Sequence, residues 1–213
     1  MPKAMTVDPA ETKARAPRMS PAEREDAIVT GAIKFFAEVG FDGQTRELAQ
    51  RLGITQPLIF RYFPTKDDLV ERIYQRLYIG RWNPEWEKLI CDRSRPLEPR
   101  LVEMYQIYVT KVLTSEWVRI FLFSGLKGSL FNKRYIDLIG KRLIEPICVE
   151  IEHDDARLKL SRDQLRERVW GLHGSIFYLG VRKWVYGVPV PNPQETVAGL
   201  VAGFLDGLKR ADA

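Results

Sequence analysis

Residues Thr45–Lys66, TRELAQRLGITQPLIFRYFPTK, carry the segment whose reading decides the fold. Counted from Thr45, Leu48 and Ala49 stand fourth and fifth, Leu52, Gly53 and Ile54 eighth to tenth, and Ile59 fifteenth. That spacing is a helix-turn-helix. Ala49 is small where a second helix crosses, Gly53 supplies the positive φ of a three-residue turn, and the aliphatic residues fill the space between helices. Thr45 is expected to cap a short helix to Leu52, and Thr55 a second one to about Tyr62, which Pro64 ends. Arg46, Arg51, Arg61 and Lys66 face Glu47 alone, so the segment is locally basic at +3.

Upstream, Ser20, Pro21 and Glu23 form a capping box with proline in the first helical position. They open a helix that ends near Gly40, with Ile28, Ala32, Phe35, Phe36 and Val39 at helical spacing on one face. Downstream, Thr65 and Asp68 box a fourth helix that runs to about Gly80, before Asn83-Pro84. Steps of three and four continue through Leu97, Leu101, Met104, Tyr105, Tyr108, Val109 and Val112. Further helices are expected over 116–126 and 131–151, the latter kinked or split by Pro146. Ser161 and Gln164 box a long helix to about Tyr186, and Asn192 with Glu195 caps a last one to about Arg210. No segment alternates as a strand does, and the chain reads as all-α. Residues 1–19 read as a disordered basic tail, 20–66 as the helix-turn-helix domain, and 67–213 as a helical domain entered through a connecting helix over 67–82.

Composition limits the possibilities further. The chain has 213 residues, 33 Lys plus Arg against 28 Asp plus Glu, and a net charge of +5, which permits nucleic-acid binding. The longest stretch without Asp, Glu, Lys or Arg, Val169–Val181, has 13 residues, too few to span a bilayer. With no apolar run behind Lys3, Lys13, Arg15 and Arg18, the start is no secretory signal, and a cytoplasmic protein is expected. Cys91 and Cys148 lie at no metal-ligand spacing and read as inert thiols, and His153 among Glu150, Glu152, Asp154 and Asp155 reads as a solvated acidic turn. No metal or cofactor is expected.

The stretches FDGQT and RELAQRLGITQPLIFRYFPTKDDL resemble the DNA-binding domain of the TetR family of transcriptional regulators. Gly40-Phe41, Ala49, Gly53-Ile54-Thr55, Phe60 to Phe63 and Pro64-Thr65-Lys66 carry the resemblance, which covers residues 21 to about 72. It implies phosphate contacts from Thr45, Tyr62 and Lys66, and groove contacts from Gln56, Leu58 and Arg61. Arg46 would join either set, and Thr55, Pro57 and Phe60 complete the implied DNA-contacting surface. Phe60 stands where the family has tyrosine, and Pro57 has no backbone donor to offer.

The remaining expectations concern assembly and ligand. The helix from Ser161 carries two apolar stripes, one of Leu165, Val169, Leu172 and Ile176, the other of Trp170, His173, Phe177, Val181 and Trp184. A second subunit is expected to cover part of them. Gly199, Gly203 and Gly207 recur at steps of four on the last helix, and with Phe204 they mark an expected homodimer contact, since each glycine inside a helix costs roughly 1 kcal/mol relative to alanine. Tyr105, Tyr108, Phe121, Trp170, His173 and Phe177 are expected to line a pocket for a small apolar or aromatic effector, with plain core as the alternative. The sum is a dimeric regulator of a double-stranded, near-palindromic operator, most simply a repressor, with no membrane partner. An activator or an effector-independent architectural protein fits the same residues. A helical carrier or enzyme is the alternative from another class, but no phosphate loop, HExxH or nucleophile elbow supports it.

Overall fold

The computed structural model describes residues 19–127, 130–155 and 157–210. The tail expected over 1–19 lies, apart from Met19, outside them. Among the described residues every regular element is helical.

Helix α1 (Pro21–Val39) opens on the expected box: the Ser20 hydroxyl accepts from the Glu23 amide while the Glu23 carboxylate accepts from the Ser20 amide. Helices α2 (Thr45–Arg51) and α3 (Gln56–Tyr62) complete the N-terminal unit. Thr45 is the first residue of α2 rather than its cap. Gln44 holds the cap position, without a side-chain bond. The turn is a Schellman closure: Ile54 N–H donates to Ala49 C=O at 3.0 Å, Gly53 N–H to Gln50 C=O at 3.1 Å, and Gly53 takes φ +64°. A residue with a Cβ would be strained there. Phe35, Phe36, Leu48, Ala49, Ile59 and Phe63 are buried between the three helices.

Helix α4 (Lys66–Tyr74) starts on the Thr65–Asp68 box and widens over Gln75–Ile79 into a π-helical stretch. Then come α5 (Glu85–Cys91), α6 (Leu97–Lys111), α7 (Ser115–Leu126) and α8 (Leu130–Ile139). A second π stretch over Gly140–Ile144 leads into α9 (Glu145–Asp154). This is the split expected at Pro146. By restarting at Glu145, the chain puts the proline in a first turn, where its missing N–H leaves no bond unmade. The domain closes with α10 (Arg162–Trp184) and α11 (Pro193–Arg210).

The first stripe of α10 is covered by the chain itself and the second only in part, so the expected second subunit has room on that stripe. Leu165, Val169, Leu172 and Ile176 are buried, as are His173 and Val181, while Trp170, Phe177 and Trp184 are partly buried. Trp184 also donates from its indole N–H to Leu113 C=O at 2.7 Å. The open face of α10 is a third one, with Gly171, Gly174, Ser175 and Tyr178. On α11, Val197, Val201 and Leu208 face the core, Phe204 is partly buried, and Gly199, Gly203 and Gly207 are exposed with open space where a Cβ would stand.

The acidic turn also differs from expectation. Glu150 is not solvated: it is 2% exposed and bonds Arg100, itself 3% exposed, at 2.9 Å. A second guanidinium, Arg93, bonds the same carboxylate at 2.9 Å. Burial opposes ionisation of Glu150, but the hydrogen bonds from Arg93 and Arg100 outweigh it and hold the carboxyl below its ordinary value. The pair ties α6 to α9.

Candidate nucleic-acid interface

Ile59 is the one residue of α3 that is fully buried, so the rest of the helix is presented outward or half-outward. Pro57, Phe60 and Arg61 are exposed, and Gln56, Leu58 and Tyr62 are half-buried. Proline in the first turn of α3 leaves no helix bond unmade. Neither Arg46 nor Arg61 makes a hydrogen bond or ion pair with any described residue. Thr55 caps α3 by backbone alone, so its hydroxyl remains available.

Thr45 and Gln56 are brought together. The Gln56 side-chain amide donates to the Thr45 hydroxyl at 2.8 Å, which pins the start of α3 to the start of α2. The threonine oxygen accepts this bond, so its own proton stays free to donate, for example to a phosphate oxygen. The amide that the family resemblance aims at the groove is thus held in place by the hydroxyl aimed at the backbone.

Lys66 departs from its implied role. Its ammonium turns inward, donating to Gly43 C=O at 2.8 Å and to Phe41 C=O, and lies 5.6 Å from the Phe36 ring centre. Two of its three donors hold the loop between α1 and α2. Lys66→Ala should therefore loosen that loop, lowering the melting temperature as well as the DNA affinity. Lys66→Arg, too bulky for the same pair of carbonyls, should rescue only partly. A variant with unchanged melting and a reduced salt slope of DNA binding would restore the phosphate role.

Electrostatics favour the same face. Three of the four acids of α1 have cation partners off α3, Glu25 with Arg72 at 3.2 Å, Asp26 with Arg76 at 2.8 Å, and Glu38 with Arg51, which also bonds Glu47 at 3.0 Å, while Glu23 caps its own helix. These are surface pairs and add little stability. Their consequence is positional: on α2 and α3 Arg51 is spent on Glu38 and Glu47, and Arg46 and Arg61 are left without an acidic partner among the described residues.

The loop after α1 is also where this unit meets the C-terminal domain. Arg119 of α7 donates to Ala37 C=O at 2.6 Å, and Lys127 bonds Asp42 at 2.7 Å, lowering the Asp42 pKa. Phe41 packs edge-on against Phe131 of α8, ring centres 5.7 Å apart. A displacement of α7 or α8 would therefore be felt at the base of the helix-turn-helix.

The six residues expected to line a pocket fall into two aromatic groups. Tyr105, Tyr108, Trp170 and His173 form one, with the His173 ring 6.0 Å from Tyr105, 5.2 Å from Tyr108 and 5.8 Å from Trp170. Phe121 and Phe177, 5.7 Å apart, join Trp117, Tyr78 and Tyr135 in the other. Trp86 of α5, 6.2 Å from Tyr108, belongs to the first group. Sequence reasoning missed it, although its i, i+4 pairing with Trp82 is a visible signal.

Burial drives the His173 pKa down from 6.5 to about 4. Between those values the unfolded chain binds the proton and the folded one does not, so stability is full above pH 6.5 and declines as pH falls. The expected loss is about 3 kcal/mol by pH 4. Urea unfolding between pH 7 and 5 should show this slope, and His173→Gln should remove it; an unchanged slope in the variant would exclude His173 as the source.

Comparison with known proteins places this geometry. Residues 28–73 match the family model described as bacterial regulatory proteins, tetR family. The class A tetracycline repressor protein from transposon 1721 of Escherichia coli is 26% identical over 85 residues, 36% of this chain and 39% of that protein. The match thus spans well under half of the curated relative. A TetR-like transcriptional regulator from a Rhodococcus species superposes with a TM-score of 0.68 at 18% identity, over 89% of this chain and 100% of that one. A tetR-family regulator from Streptomyces coelicolor gives 0.63 at 20% identity, over 92% and 84%. At such identities the agreement is one of fold.

Proposed function

The chain belongs to the TetR family of bacterial regulatory proteins, and from that premise we propose that it is a homodimeric repressor, released from a near-palindromic operator by a small molecule held in its C-terminal domain. The observation that carries the reading is the outward face of α3, where Arg61 stands unpaired beside Leu58, Gln56 and Tyr62 while Glu25 and Asp26 of α1 pair with Arg72 and Arg76. Such a face suits the major groove, in which arginine pairs with guanine, glutamine with adenine and leucine with a thymine methyl.

Two-fold symmetry would set two copies of α3 about 34 to 36 Å apart, or a multiple of that, so the operator repeats the same half-site inverted. Selecting bound duplexes from a random pool tests this directly. An inverted repeat at that spacing is the expected result, and recovery of unrelated sequences would overturn it.

Dimerisation is assigned to the bare faces of α10 and α11. Gly199, Gly203 and Gly207 leave a smooth strip on which another backbone packs closely. Gly203→Leu should push the subunits apart, because an added side chain finds no room in such a contact. Sedimentation should then show monomer at micromolar concentration, where the parent chain is dimeric. A variant that stays dimeric removes this strip from the interface.

Release would follow from a shift of α7 and α8 against the α1–α2 loop, through Arg119, Asp42 and Phe41. Effector and operator then weaken each other's binding by the same factor.

A further inference from the structure

Among the described residues, buried side-chain polar atoms without a hydrogen-bond partner are concentrated in the core of the C-terminal domain. Trp86 Nε1, Tyr105 Oη, Tyr108 Oη, Trp117 Nε1 and His173 Nδ1 are all unpartnered. Their residues are 2%, 0%, 1%, 1% and 7% exposed. Four belong to one contiguous group: Tyr108 lies 6.2 Å from Trp86, 6.4 Å from Tyr105 and 5.2 Å from His173, ring centre to ring centre. Trp117 joins through Tyr135, 5.3 Å away, whose hydroxyl interacts with that of Tyr108 without reaching hydrogen-bond geometry.

A buried donor or acceptor without a partner forfeits the bonds it had to water, which is why native interiors keep few of them. Stability does not explain five so close together, since phenylalanine in place of each tyrosine would fill nearly the same volume without that loss. Recognition of a polar ligand does.

The donor inventory defines the ligand. An indole N–H donates only, each phenol can donate, and a neutral imidazole offers one N–H or one lone pair at Nδ1. None of the five side chains carries a charge. Burial raises the pKa of both tyrosines and lowers that of His173 to about 4, so this remains so at neutral pH. An uncharged, donor-rich site with aromatic walls complements an uncharged, flat molecule that presents acceptor oxygens. We propose that the site bounded by Trp86, Tyr105, Tyr108 and His173 binds a neutral aromatic carbonyl compound, of the aryl ketone or lactone class. This rests on the effector reading above and narrows it: an apolar ring alone would leave the polar atoms unanswered.

Three probes of similar size separate the possibilities in the full-length protein: coumarin as a neutral lactone, naphthalene as an apolar ring, and 1-naphthoate as an anion. Tyr105→Phe should melt no lower than the parent without a probe, since its hydroxyl has no partner, and Tyr108→Phe should lose no more than the weak contact with Tyr135. Coumarin should bind the parent at least tenfold more tightly than naphthalene by calorimetry, and each variant should lose most of that preference. Variants that melt several degrees lower would make the hydroxyls structural and overturn the proposal. So would equal or stronger binding of naphthalene, preference for 1-naphthoate, or no binding of coumarin. If coumarin binds as expected but leaves the affinity for the selected operator unchanged, the ligand site stands and the sensor role falls.

Discussion

Arg61→Ala should weaken binding to the selected operator by roughly 1 to 3 kcal/mol at each half-site, about 2 to 6 kcal/mol for the dimer, while binding to random duplex falls much less. The reason is the position of the side chain. Arg61 lies on the outward surface of α3, whose only fully buried residue is Ile59, and it has no partner among the described residues to compete with a base. Its guanidinium is thus free to take guanine O6 and N7 together, a geometry that no other base offers. Specificity should relax at one position per half-site, and a series of duplexes with single base changes would read this. Equal losses on operator and random duplex would reduce Arg61 to a phosphate contact. Lys66 provides the contrast, since its ammonium already holds Phe41 and Gly43 carbonyls and its loss acts through the fold.

Arg100→Met should cost about 3 to 5 kcal/mol of stability, because it leaves the Glu150 carboxylate buried with Arg93 as its remaining cation. Arg93 is 48% exposed and cannot replace the lost partner in the interior. Arg100 also donates to the backbone carbonyls of Pro96 and Ile90, so the same substitution strips the turn between α5 and α6 of its side-chain donor. For a chain of this size the melting temperature should fall by roughly 10 °C. Pairing Arg100→Met with Glu150→Leu should recover much of the loss, since an apolar pair of similar volume avoids the stranded charge. If the double variant is no more stable than the single one, the cost lies in the carbonyl bonds instead. Glu150 itself is held ionised below its ordinary pKa, so its stabilisation is present above the unfolded carboxyl value and is lost as pH falls through the folded one. That acid loss sets in at the lower end of the window assigned to His173, so the slope between pH 6.5 and 5 reports His173 alone of the two.

Some of this was legible residue by residue. The boxes at Ser20 and Glu23, Thr65 and Asp68, and Ser161 and Gln164 close within one helical turn, so the sequence states both partners at once. The positive φ of Gly53 was equally local, because a sharp helix end requires it whatever surrounds it. Pro146 announced the split between α8 and α9, although not the π stretch that accommodates it. The outward residues of α3 were named through the family resemblance, and α3 does present Arg61 outward and Gln56 and Leu58 half-outward.

Other features depend on groups far apart in the chain. Lys66 was readable as a cation at a helix start, but its carbonyl partners lie 23 and 25 residues upstream, and their approach depends on how α1 meets α4. Glu150 looked like one acid in a solvated turn until Arg100, 50 residues before it, closed over it. Hydrophobic periodicity shows that the second stripe of α10 must be covered, not by what, and the chain itself covers His173 and Val181 while Trp170, Phe177 and Trp184 stay partly open. Trp86 entered the ligand group through its place in the packed domain. The helices, the three capping boxes and the turn at Gly53 could be read from the sequence, since those are set by interactions a few residues long. Tertiary structure alone decided which charges are neutralised, which stripes are covered and which polar atoms remain unanswered, because burial and pairing are properties of surfaces that meet only when distant helices pack.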